Sequence, residues 1–182
     1  SLKIIAMVGM AGAGKTAISR FFEDNGYTRV RFGDVTDDEV KRRDLPLNEA
    51  NERTVREALR QELGMAAYAK LNLPRIDAAL KDGPVIIDGL YSWEEYIFLK
   101  DYYKDTLAVA AVWASPGTRA KRLATRGIRP LTREETLSRD RAEVEKVSKA
   151  GPIAVADYMI TNEGNFDQLK TQVTALIGQL KS

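Results

Sequence analysis

Residues 9–16 read Gly-Met-Ala-Gly-Ala-Gly-Lys-Thr, directly behind the apolar run Ile4-Ile5-Ala6-Met7-Val8. The spacing is GxxxxGK[ST], set between a stretch that reads as a buried strand and one that reads as a helix, which is the context such a loop requires. Glycines let backbone N–H groups turn toward phosphate oxygens, and the helix N-terminus adds positive potential. Lys15 would then reach the β and γ phosphates and Thr16 would offer its hydroxyl to Mg²⁺. The loop contacts expected for ATP are Gly9, Gly12, Ala13, Gly14, Lys15, Thr16 and Ala17. The competing reading is a plain strand-to-helix turn, an unusual use for an eight-residue match in this setting.

A phosphate loop needs a carboxylate to orient its metal, normally at the end of a later apolar strand. Val85-Ile86-Ile87-Asp88-Gly89 supplies one, so Thr16 and Asp88 form the candidate magnesium pair. A turn aspartate closing a strand is the alternative for Asp88. Lys3–Val8, Thr28–Phe32, Pro84–Asp88, Thr106–Trp113 and Ala156–Ile160 all read as buried parallel strands, being apolar and β-prone without clean alternation. Helical patterns separate them, with capping-box spacing at Ser92–Glu95 and Thr132–Glu135 and stop glycines at 26 and 83. The order β-α-β-α-β-α-β-α-β predicts an α/β fold, a parallel sheet covered on both faces with its ligand crevice at the carboxyl ends of the strands.

The chain has 182 residues, enough for one domain with a real core. It is 44% hydrophobic and 30% charged, with 28 Lys+Arg against 26 Asp+Glu. The net charge of +2 does not indicate nucleic-acid binding, although a local basic cluster stays open. Cys and His are absent, which excludes disulfides, thiolate and imidazole catalysis and the usual zinc sites. The start Ser-Leu-Lys-Ile-Ile-Ala-Met-Val shows no secretory leader and the apolar runs are too short to span a bilayer, so a cytoplasmic location without membrane contact is the expectation.

Two segments, 34–83 and 115–156, are longer than a single crossover helix and read as insertions. Phe32-Gly33-Asp34 ends the second strand, placing a carboxylate where it can meet an acceptor or cap the next helix. Arg42 and Arg43 lie at the end of that helix, either favouring its dipole or binding an anionic acceptor. Arg119, Arg122 and Arg126 recur at helical spacing, Gly127 and Pro130 break the helix around Arg129, and Arg139 and Arg141 follow. Phosphoryl transfer needs fixed positive charge and a lid, which favours a lid over a solvated basic face. Tyr91 and Trp93, just past Asp88, are candidates to stack on an acceptor base, or simply packing residues. A GTPase-type Asn-Lys-x-Asp motif is absent, and Asn162 with Gly164 marks a turn that can touch a purine or merely precede a helix capped at Asn165.

With these residues in place, the chain resembles the nucleoside monophosphate kinase group of P-loop proteins, especially archaeal adenylate-kinase-related proteins, and more distantly dephospho-CoA kinase. The carriers are the loop itself, Phe32-Gly33-Asp34, Glu39–Leu45, Arg60–Ile76, Val85–Leu90, the run from Arg119 to Pro130, Ser138–Glu145 and Ala156–Gly164. The resemblance implies a three-layer P-loop fold with strand order 2-3-1-4-5, one domain over 1–182, an acceptor-binding insert over 34–80 and a lid over 127–136. It implies ATP and Mg²⁺ as cofactors, Asp34 and Asp88 serving metal and acceptor, and Arg122, Arg126 and Arg139 on ATP phosphates or adenine. Adenylate kinases follow the strand-end Asp-Gly with an acceptor-phosphate arginine; here the text is Leu90-Tyr91-Ser92. The acceptor's cation must come from elsewhere, with Arg42, Arg43, Arg53 and Arg56 as candidates. The reading is a phosphotransferase acting on a nucleoside or deoxynucleoside monophosphate as a monomer or homodimer. A hydroxyl kinase for dephospho-CoA or a nucleotide in DNA or RNA, and a nucleotide-dependent regulatory ATPase or binding module, are the alternatives.

Overall fold

Strand β1 (Ile4–Val8) is buried along its whole length, because it is the middle strand of an all-parallel sheet ordered β2-β3-β1-β4-β5. The structure, a computed structural model, describes residues 1–128 and 130–182. β2 spans Thr28–Arg31, β3 Val85–Asp88, β4 Leu107–Trp113 and β5 Tyr158–Thr161. The expected fold class and strand order both hold. β1 pairs with β3 and β4, placing Met7 beside Asp88 and Val8 beside Ala111, so the ends that carry chemistry are level.

Successive β1 side chains enter opposite cores, as the two-residue period of a strand dictates. Ile4, Ala6 and Val8 pack with Val30, Phe32, Val109 and Tyr68 on one face, while Ile5 and Met7 pack with Ile18, Phe22, Val173 and Ile177 on the other. Helices α1 (Lys15–Asp24) and α9 (Phe166–Lys181) cover the second face. The first is covered by α4 (Ala67–Leu80) and α5 (Trp93–Tyr103), with α2 (Asp34–Arg42) and α3 (Glu49–Leu63) beyond them. A sheet buried on both sides explains why its strands lack polar alternation.

Segment 34–80 is thus three helices. The later long segment carries α6 (Pro116–Thr125), α7 (Arg133–Glu145) and the short α8 (Ala150–Ala154). The Thr132–Glu135 capping box forms reciprocally at 3.1 Å in both directions, and so fixes where α7 begins. Ser92 Oγ accepts from Glu95 N at 3.1 Å, but the Glu95 carboxylate reaches Tyr91 N rather than the cap residue. Asn165 caps α9 reciprocally with Gln168. Arg129 of the expected lid lies outside the described residues. Among the described residues, no helix is long and apolar enough to cross a membrane.

Candidate active site

The phosphate loop is shaped from outside, by donors that claim its carbonyl oxygens. Arg119 donates to Ala11 O at 3.2 Å, Arg122 to Gly12 O at 3.3 Å, and Asn162 Nδ2 to Ala13 O at 2.8 Å. Lys15 Nζ takes the remaining two, Gly9 O at 2.7 Å and Met10 O at 3.2 Å. Ala13 N closes a turn onto Met10 O at 3.1 Å. With the carbonyls of residues 9–13 so engaged, the amides around that turn can face a ligand. Gly9 permits the loop to leave β1 beside β4, since a Cβ there would lie 2.7 Å from Val112 O. Gly14 opens α1 at φ 104° with no side-chain cap, and its missing Cβ leaves room for the Asn162 amide. No acidic residue stands in the first turn of α1, so the partial positive charge of its N-terminus is not cancelled.

Two of these braces are themselves held. Arg119, 4% exposed, grips Asp140 of α7 through two bonds of 2.8 and 2.9 Å and also donates to Ala114 O. Arg122 donates to Asn162 O at 2.6 Å, and Asn162 N to Trp113 O at 2.7 Å. The loop, α6, α7 and the β5–α9 turn are therefore one hydrogen-bonded unit. Gly164 in that turn lies against Gln168, whose carboxamide would collide with any Cβ at 164.

Desolvation, with the nearby Lys149 ammonium second, lowers the Lys15 ammonium to about 7, partly offset by Glu143 and Asp88. Asp88, 5% exposed at the end of β3, receives Arg29 Nε at 3.0 Å and Nη2 at 2.6 Å, both on Oδ2. Thr16 is exposed on the first turn of α1. Among the described residues there is no group of three acidic side chains that could hold a metal. One carboxylate plus one hydroxyl suits Mg²⁺, which fills its octahedron with phosphate oxygens and water. The donor set therefore fits a magnesium nucleotide.

Across the sheet edge, Asp34 at the start of α2 joins two guanidinium groups, Arg31 Nη1 at 2.8 Å and Arg75 Nη2 at 3.1 Å. Burial alone would raise the Asp34 carboxyl, but these bonds outweigh it and hold the group below its ordinary value. Gly33 is the cap position and Asp34 the first residue of α2, its two oxygens each bonded to a guanidinium group. Arg75 also donates to Arg31 O and Asn72 Oδ1. Asn72 and Tyr68, one and two turns back on α4, tie the helix to Phe32 O and the Thr36 hydroxyl.

Arg42 and Arg43 converge instead on Glu39, and their hydrogen bonds hold that carboxyl down to about 2. Trp93 packs on Gly151, where a Cβ would lie 2.6 Å from its ring, and stands 5.1 Å from the Tyr96 ring. Among the described residues, neither Trp93 nor the arginine pair shares a hydrogen bond, ion pair or ring contact with Lys15, Asp34 or Asp88. Tyr91 does adjoin the strand-end turn, its hydroxyl 3.0 Å from where a Gly89 Cβ would stand, and burial pushes that hydroxyl up to about 12. Arg139 Nε donates to Glu143 at 3.0 Å, and the electrostatics of Lys15 include both. Arg126 is half-buried at the end of α6. Arg31, Arg75, Asn72 and Lys149 are not among the candidates read from the sequence; Asn72 and Arg75 lie in a stretch that carries the resemblance, but nothing in it assigns them a role.

An amide-lined loop after β1, a lysine on its own helix and a strand-end aspartate define a P-loop kinase-like domain. Residues 5–146 match the AAA domain family model, and the chain belongs to that family. Within it the chain is homologous to the UPF0200 proteins: that of Thermococcus kodakarensis is 36% identical, covering 98% of both chains. Among solved structures, shikimate kinase from Bacteroides thetaiotaomicron superposes with a TM-score of 0.64 at 16% identity, covering 100% of each chain. Dephospho-CoA kinase from Campylobacter jejuni does so with a TM-score of 0.57 at 9% identity, covering 97% of this chain and 96% of that one. At such identities the likeness is one of fold.

Proposed function

We propose that this protein is an ATP- and Mg²⁺-dependent phosphotransferase that moves the γ-phosphoryl group to a nucleotide-type acceptor, a nucleoside or deoxynucleoside monophosphate. The observation that carries the reading is the pairing of two sites on one sheet edge: the amide-lined loop with Lys15, and the Arg31–Asp34–Arg75 cluster. The acceptor oxygen attacks the γ phosphorus in line while the bond to the β–γ bridging oxygen breaks, releasing ADP. Gly9, Gly12, Ala13, Gly14, Thr16 and Ala17 hold the donor phosphates. Lys15, Arg122, Arg126 and Arg139 spread the charge that develops, and Thr16 and Asp88 hold Mg²⁺, which draws charge from the β and γ oxygens. The Asn162–Gly164 turn borders the nucleoside end.

Arg31 and Arg75 take the acceptor-phosphate role that the absent arginine after Gly89 leaves open, because they meet at Asp34 beside the strand ends, whereas Arg42 and Arg43 converge on Glu39 at the far end of α2. Tyr91 is the acceptor-side aromatic; Trp93 serves packing. A hydroxyl acceptor, such as dephospho-CoA, is the second reading, favoured by the ionised Asp34 carboxylate, an acceptor for a hydroxyl proton.

The deciding measurement is ATP consumption with Mg²⁺ against nucleoside and deoxynucleoside monophosphates, dephospho-CoA and short oligonucleotides, with Lys15→Ala as control. Stimulation by monophosphates supports the first reading and stimulation by dephospho-CoA or oligonucleotides the second. An active Lys15→Ala protein would overturn both.

A further inference from the structure

Lys149 precedes α8 and is 2% exposed, among the most buried charged groups of the chain. Its Nζ donates to Glu143 Oε2 and lies 5.6 Å from the centre of the Tyr91 ring. Its backbone N–H donates to Glu143 O at 3.1 Å. The other oxygen of the Glu143 carboxylate accepts from Arg139 Nε. One carboxylate therefore holds two cations beside the phosphate loop. Gly151, two residues on, packs against the Trp93 ring, where a Cβ would lie 2.6 Å away.

A buried ion pair of this kind adds little to stability, because desolvation offsets the attraction; apolar residues of similar volume commonly do as well. The proposed transfer chemistry does not use Lys149, yet the ammonium lies 5.6 Å from the centre of the Tyr91 ring and its charge is felt at Lys15. Lys149, Glu143 and Arg139 all interact electrostatically with Lys15. The ion-paired cluster and the loop lysine thus share one electrostatic site.

We propose that Lys149 is a terminal-phosphate cation held in reserve, and that Glu143 is an internal anion standing in for that phosphate until a triphosphate displaces it. The inference rests on the ATP reading above and goes beyond it by naming the group that senses the γ phosphate. A triphosphate would engage Lys149; a diphosphate, which ends at the β phosphate beside Lys15, would leave the Glu143 bond in place.

The test compares affinities of ADP and of the non-hydrolysable β,γ-methylene analogue of ATP, by titration calorimetry with Mg²⁺. Lys149→Met should weaken the analogue roughly ten- to hundredfold, the loss of one charge-assisted hydrogen bond, with ADP unchanged. Glu143→Gln should tighten the analogue several-fold relative to ADP. The double variant, which leaves no lone buried charge at the pair, guards against misfolding and should discriminate as poorly as Lys149→Met. Equal changes for both nucleotides, or no change in folded variants, would overturn the inference while leaving the ATP reading intact. Failure of the unaltered chain to bind either nucleotide would overturn the ATP reading, and this inference with it.

Discussion

Lys15 Nζ donates to the Gly9 carbonyl oxygen at 2.7 Å, so the cation of the phosphate loop is folded back onto the loop it serves. Its ammonium is held at about 7 against 10.5 for an ordinary lysine, chiefly by desolvation. Nucleotide phosphates favour the charged form, so binding above pH 7 draws a proton from solvent and affinity falls as pH rises, approaching about tenfold per pH unit. Calorimetry of ADP binding at pH 8 in two buffers of different ionisation enthalpy should report uptake near one proton, and at pH 6 near none. Absence of uptake at pH 8 would show that Lys15 stays charged in the free loop. The stability counterpart has a definite sign: between pH 7 and 10.5 the unfolded chain holds the extra proton, so the Lys15 contribution to stability of the free protein rises across that window.

Asp34 is tied to Arg31 and Arg75, but its side chain is 40% exposed. Exposed pairs contribute at most about 1 kcal/mol to folding, so Asp34→Asn should barely move the Tm. Activity on the best acceptor should nevertheless fall on the order of a hundredfold, since the substitution removes the ionised group that aligns two guanidinium groups. Steady-state kinetics beside thermal melts decides this. An unchanged kcat/KM would reduce Asp34 to a surface tie.

Arg119 makes the contrasting case. It is buried, paired in two bonds with Asp140 and bonded to the carbonyls of Ala11 and Ala114. Arg119→Met strands Asp140 and two carbonyls, a loss on the order of 3 kcal/mol. Urea unfolding should show it as a lower midpoint with an unchanged m-value, and nucleotide affinity should drop because the loop loses its outer support. Wild-type stability in this variant would contradict the brace.

These three residues show what a sequence does and does not disclose. Lys15 is legible because its partners are within six positions, inside one loop. Asp34 and Asp88 are legible as strand-end carboxylates, because an apolar run that stops at an aspartate points to a sheet edge. The use of Asp34 is not, since Arg75 lies 41 positions away in the middle of a helix. Arg119 shares a helical face with Arg122 and reads as a lid cation. Yet one of its carbonyl partners, Ala11, is 108 positions distant and its carboxylate 21, pairings that only the folded chain creates. Lys149 sits where a charged helix gives way to Ala150-Gly151-Pro152-Ile153, a stretch without a motif, and nothing local marks the lysine as buried.

Glu95 is a buried carboxyl that titrates far from its ordinary value. It is fully buried beneath the start of α5, its Oε1 has no hydrogen-bond partner, and desolvation raises its carboxyl to about 8. The unfolded chain releases that proton at the ordinary value near 4.5, so between pH 4.5 and 8 the folded state holds the extra proton. Stability from this group is therefore full below pH 4.5 and is lost as pH rises through 8. Glu95→Gln keeps the acceptor for Tyr91 N and cannot ionise. It should match the unaltered protein near pH 5 and exceed it at pH 8.5 by on the order of a few kcal/mol, because each tenfold change in proton affinity corresponds to about 1.4 kcal/mol. Chemical unfolding at the two pH values measures the difference. A gap that is the same at both would mean that Glu95 is ionised in the fold and that Arg60, its nearest cation in electrostatic effect, neutralises it.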